Sequence, residues 1–110
     1  MNRRLECYEL LVDVAKAVPD LIKAIPRGES ELKDQLKRAM LSSMLNLAEG
    51  NGRYSIKERN RFFNISLGSI SELSATMDYA TAFRDLDERS SQKLIASLRK
   101  AYNLVRKLRK

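Results

Sequence analysis

Apolar positions recur every three or four residues from one end of this chain to the other, a pattern that predicts helices and no strands. Cys7, Leu10, Leu11, Val14, Val18, Leu21, Ile22 and Ile25 set the first stripe. Pro19 falls inside it and lacks a backbone donor, so a kink or break is expected near Val18. Pro26-Arg27-Gly28 ends the segment. A second helix is expected from about Ser30 to Ala48, with Leu32, Leu36, Met40, Met44 and Leu47 on one side and Ala39, Leu41, Leu45 and Ala48 on another. Its stretch AMLSSMLNLA carries no charge, which predicts burial on more than one side. The third helix starts after Ser55 and runs to about Phe83. Ser55 and Glu58 have capping-box spacing: the serine oxygen takes the amide of Glu58 and the glutamate reaches back. Gly68 lies mid-helix, where it costs up to ~1 kcal/mol against alanine, so a close helix approach is expected there. The fourth helix follows Arg84-Asp85-Leu86-Asp87. Leu94, Leu98, Ala101, Val105 and Leu108 give it a heptad seam.

Four helices of ~20 residues with short connections predict an all-α fold, an antiparallel up-down-up-down four-helix bundle in one domain, residues 1–110. The chain has 110 residues, enough for one core. No apolar run approaches the ~20 residues of a bilayer span. The start, MNRRLECYELL, turns charged again too soon for a signal peptide, so a cytoplasmic location is expected.

Candidate chemistry is thin. The sequence has one cysteine and no histidine. That excludes an intramolecular disulfide, a zinc site built on cysteines or histidines, and any Ser-His-Asp or Cys-His arrangement. Cys7 sits on an apolar stripe and reads as a small buried hydrophobe rather than a reactive thiol. Glu49, Glu58, Glu72 and Asp78 are not at metal-binding spacing. EGNGRYS has glycines, but a helix precedes them and neither phosphate-loop spacing is met. They read as a turn: Gly50 would close the second helix in the left-handed conformation and Gly52 would ease the reversal. Arg53 and Tyr54 are not required by that turn. Arg53 can pair with Glu49 or reach a phosphate, and the ion pair is the stronger reading. No catalytic residue, cofactor or metal is assigned, and the protein is expected not to be an enzyme.

Charge changes the picture more. The net charge is +7, and from Arg89 to Lys110 there are eight basic residues and no acid. Everything before that is nearly neutral, an asymmetry that points to a polyanionic partner. Lys93, Arg99, Lys100, Arg106 and Lys107 fall away from the seam, as one basic stripe facing solvent. With Arg109, Lys110 and Arg53 they are the candidate nucleic-acid contacts. Aromatic residues are few and most are expected to be buried, so base stacking should matter little.

NLAEGNGR, the S-x-x-E box and RFFNISLGSISEL together resemble the four-helix bundle proteins encoded within intervening sequences of bacterial large-subunit ribosomal RNA genes. The resemblance runs from the first helix to the end of the third; the fourth matches in pattern alone. It implies an antiparallel bundle assembling as a homopentamer, similar to the accessory variability protein of diversity-generating retroelements, a relative that binds nucleic acid and a reverse transcriptase. It implies no catalytic residue. Glu49, Arg53, Gly68 and Glu72 would be fold or assembly residues. An oligomer would also explain a second helix apolar on two sides.

Two functional readings follow. One is a basic oligomer that binds RNA or an RNA–DNA hybrid through phosphate neutralisation, with low sequence specificity. The other is a scaffold whose partner is a reverse transcriptase or a ribosomal protein. A membrane-surface role is disfavoured, because the apolar seam of the fourth helix is needed for the core.

Overall fold

A computed structural model describes residues 2–83 and 86–110, and four helices account for nearly all of them: α1 (Arg3–Ala24), α2 (Ser30–Gly52), α3 (Ile56–Ala82) and α4 (Glu88–Leu108). There is no strand among the described residues. Arg84 and Asp85, expected in the α3–α4 connection, lie outside them. Each helix packs on the next in sequence, and α4 returns to pack on α1, so the four form a bundle 44 × 25 × 19 Å in extent.

The core is the one the spacing predicts. Cys7, Leu11, Val14, Val18 and Leu21 of α1 meet Leu32, Leu36, Met40 and Leu47 of α2, Phe63, Ile70, Leu73 and Met77 of α3, and Leu98, Ala101 and Val105 of α4. Leu94 and Leu108, at the ends of the α4 seam, are half-buried. The Cys7 thiol is buried, and its Sγ donates to the Arg4 carbonyl at 3.3 Å. Burial pushes its pKa up to about 11, the mark of a neutral packing group rather than a nucleophile.

Polar contacts register α2 against α3. Buried Ser66 donates to the Ser43 carbonyl at 2.8 Å, and the Ser42 and Ser69 hydroxyls share a hydrogen bond of 2.7 Å. Further along, Gly50 meets Phe63. Partners therefore rise in number along α2 as they fall along α3.

Four expectations need correction. Pro19 does not break α1, which continues through it to Ala24. Pro19 is exposed, so its ring sits on the outer face, where water can reach the carbonyl it leaves unpaired. Gly50 does not close α2: it is buried inside the helix, which runs on to Gly52. A Cβ on Gly50 would lie 2.5 Å from the Phe63 ring, so glycine is needed for close approach and not for a left-handed turn. The capping box is half formed. Ser55 accepts from the Glu58 amide at 3.0 Å, while the Glu58 carboxylate turns to Arg61 at 3.6 Å.

The fourth correction concerns Gly68. It is exposed, and a Cβ there would meet nothing within 4 Å, so no helix of this chain approaches it. Gly68→Ala should therefore stabilise the isolated subunit by up to ~1 kcal/mol, raising Tm by about 3–6 °C in a thermal melt. A lowered Tm with loss of assembly would place Gly68 in a contact between subunits.

Candidate nucleic-acid interface

Helix α4 positions the cations because its seam is anchored. Leu98, Ala101 and Val105 are fully buried, which turns Lys93, Arg99, Lys100, Arg106 and Lys107 outward, and all five are exposed. They form two rows rather than one stripe. Lys93, Lys100 and Lys107 recur every seven residues along the side towards α1; Arg99 and Arg106 share the side towards α3. Exposed Gln92, Ala96 and Asn103 lie between the rows.

The first two lysines of that row face acids. Lys100 Nζ lies 3.7 Å from Glu6 Oε2, and Lys93 shares a cleft with Asp13 and Asp20. Arg99 shares a shallow groove with Asp78 of α3. Arg106 and Lys107 have no ion-pair partner among the described residues, and as the last-turn cations of α4 they suit its carbonyl dipole. Exposed pairs such as Lys100–Glu6 are worth well under ~1 kcal/mol, so a phosphate could displace the glutamate.

Arg109 and Lys110 follow the helix and are held by α3. Arg109 Nη1 donates to Asn64 Oδ1 at 2.9 Å. The Lys110 amide donates to Asn60 Oδ1 at 3.1 Å, and Asn60 Nδ2 donates to the Lys110 carbonyl at 2.8 Å. The Asn60 clasp uses only the Lys110 backbone and leaves its ammonium untouched, while Asn64 takes one guanidinium nitrogen of Arg109 and leaves its charge unneutralised; nothing in the spacing of Asn60 and Asn64 signals them.

Arg53 stands apart from α4, in the α2–α3 turn. Its Nη2 donates to Glu49 Oε2 at 2.9 Å, its guanidinium lies 5.0 Å from the Phe62 ring centre, and its carbonyl accepts from Arg59 Nε at 2.7 Å. The residue is part of the turn's own structure, with about half of its side chain still exposed.

The aromatic expectation also changes. Phe63 is fully buried, but Tyr8, Phe62 and Tyr102 are half-exposed, and Tyr79, Phe83 and Tyr54 are open to solvent, Tyr54 by 96%. Tyr54 is exposed because it occupies the short turn between α2 and α3, where neither helix can cover it.

Among the described residues no group of three or more histidine, cysteine or acidic side chains gathers at metal-binding distance, and no helix is long and apolar enough to cross a membrane.

The model of one protein family, the 23S rRNA-intervening sequence proteins, matches residues 3–107. The chain belongs to that family. The match extends beyond the resemblance read from the α2–α3 motifs and takes in nearly all of α4; Arg109 and Lys110 fall outside it. No curated protein matches the chain. Within NLAEGNGR, Gly50 is fixed by packing on Phe63; the match itself gives the family and the residues covered. It assigns no role to the α4 cations.

Proposed function

We propose that this 23S rRNA-intervening sequence protein is a non-catalytic, basic oligomer that binds RNA or an RNA–DNA hybrid with low sequence specificity. One observation carries the reading: α4 holds an exposed set of cations on a buried seam, with no acid after Glu88. Its contacts would be phosphate contacts, which position a nucleic acid without reading its bases. The family's link to an rRNA intervening sequence supports an RNA context, and a role as accessory factor of such a sequence or of a retroelement fits it.

The bundle would be antiparallel, as the opposed order of the α2–α3 partners supports, and assembled as a homopentamer. Helix α2 is apolar on two sides, yet Leu41 and Leu45 remain 58% and 56% exposed in the single subunit. A second apolar patch lies at the end of α3, where Tyr79 and the capping residue Phe83 are exposed with rings stacked 4.4 Å apart. Two unlike patches on different faces are what a head-to-tail ring requires. The stacked Tyr79–Phe83 pair also favours a second reading, a scaffold docking a protein such as a reverse transcriptase or a ribosomal protein, since exposed aromatics are enriched at protein interfaces.

Titration of nuclease-treated protein into labelled structured RNA across a salt series tests the first reading. Binding whose log affinity falls linearly with log salt is expected. No binding at low salt removes it and leaves the scaffold, which a nuclease-resistant pull-down of one protein would then support.

A further inference from the structure

One pole of the bundle gathers most of the positive charge. Asn60 and Lys110 join the start of α3 to the end of α4. Lys100 and Glu6 bring the start of α1 beside the later half of α4. Arg4 and Asn51 line one shallow depression, which joins the start of α1 to the end of α2. In the segments that make this pole, residues 2–9, 46–64 and 103–110, ten lysines and arginines stand against four carboxylates. The opposite pole, residues 20–34, 76–83 and 86–93, has five against seven.

Helix dipoles explain the acidic pole but only the α4 part of the basic one. Glu31 and Glu88 lie in the first turns of α2 and α4, where negative charge is favourable. At the basic pole, Arg3 and Arg4 open α1, and Lys57 and Arg59 open α3, where positive charge is unfavourable. Arg106 and Lys107 add to the same surface from the end of α4. None of these six has an ion-pair partner among the described residues. Arg59 donates to the Arg53 carbonyl and so supports the turn; Arg3, Arg4 and Lys57, placed against two helix dipoles without an ion-pair partner, fit an anion supplied from outside.

Tyr54 projects from the same pole, between Arg53 and Lys57 in sequence, with 96% of its surface exposed. An unpacked aromatic among cations is the arrangement that stacks on an unpaired base while its neighbours hold the phosphates. A continuous duplex offers phosphates but no free base face.

We infer that the nucleic acid binds at the pole formed by the ends of α1, α3 and α4, not along the length of α4, and that Tyr54 stacks on a base there, so the preferred ligand is single-stranded or looped. This rests on the nucleic-acid reading above and refines it.

Two variants of equal charge change separate the pole from the flank. Lys57→Gln/Arg106→Gln/Lys107→Gln alters the pole, and Lys93→Gln/Arg99→Gln/Lys100→Gln alters the flank. Anisotropy is measured with a labelled 20-nucleotide uridine strand and a blunt RNA duplex of 20 base pairs, after circular dichroism shows each variant folded. The pole variant should bind both probes at least ~30-fold more weakly, and the flank variant should stay within ~3-fold of the parent. Tyr54→Ala should lose ~10-fold on the single strand and less than ~2-fold on the duplex. A flank variant that loses as much as the pole variant overturns the polar site while leaving nucleic-acid binding intact. An equal effect of Tyr54→Ala on both probes, or none, overturns the stacking role. A parent protein that binds neither probe overturns both this site and the reading beneath it.

Discussion

Replacing Arg99, Lys100, Arg106 and Lys107 together by glutamine is expected to weaken RNA binding by roughly 100-fold at 0.1 M salt. Each of these side chains is exposed on α4, and none contributes to the buried seam of Leu98, Ala101 and Val105. The helix should therefore keep its packing, with the surface Lys100–Glu6 pair lost at little cost. The effect has a signature beyond its size. For a parent protein making about four phosphate contacts, affinity should fall roughly 100-fold between 50 and 200 mM salt. Each contact removed lowers the slope of log affinity against log salt by about one. The quadruple variant should bind weakly and with a slope lower by about two, the share of Arg106 and Lys107 at the end of α4. Unchanged affinity in that variant would remove α4 as the binding surface, and an unchanged slope with weaker binding would point to a folding defect instead.

Phe63→Ala should lower stability by about 3–5 kcal/mol, the usual range for deleting a buried aromatic ring. Phe63 is fully buried in α3 and closes on Gly50 of α2, so its loss opens a cavity between the two helices. Urea denaturation at fixed protein concentration measures it, a needed control because assembly makes apparent stability depend on concentration. The contact predicts coupling as well. Gly50→Ala alone forces a methyl to 2.5 Å from the ring and should cost about 1–3 kcal/mol, reduced by alanine's better helix propensity. In the Phe63→Ala background the ring clash is gone and only a 3.3 Å approach to the Arg59 carbonyl remains, so the same change should cost clearly less than in the parent. Additive losses would show that the ring and the glycine do not share one space.

These two predictions concern different layers of the molecule, and the sequence discloses them unequally. Helical periodicity places the core because a residue's face is fixed by its spacing: Cys7, Leu11, Val14, Leu36, Leu98 and Val105 are buried as their stripes require. The N-cap at Ser55 is legible for the same local reason, since its oxygen and the Glu58 amide lie three residues apart. Gly50 is not. Glycine after a helix reads as a left-handed cap, and a Phe63 ring beside it becomes visible only when α3 has folded back on α2. Gly68 misleads in the opposite way: small residues at mid-helix imply a close neighbour, yet this one faces open space in the subunit. Leu41 and Leu45 belong to an apolar side that the single subunit does not bury.

The candidate site divides along the same line. The sequence by itself determined an all-α chain, a seam on α4, an excess of cations after Glu88 and the absence of histidine chemistry, because each follows from composition or from spacing within one helix. The tertiary structure alone decided where those cations meet other charges. Lys100 finds Glu6, Arg99 nears Asp78, and Asn60 and Asn64 clasp Lys110 and Arg109 across 50 and 45 residues of chain. It also gathered Arg3, Lys57 and Lys107 at one pole and left Tyr54 exposed there. The physical reason is that charges act through space over about 10 Å, whereas sequence spacing fixes neighbours only within a helix or turn.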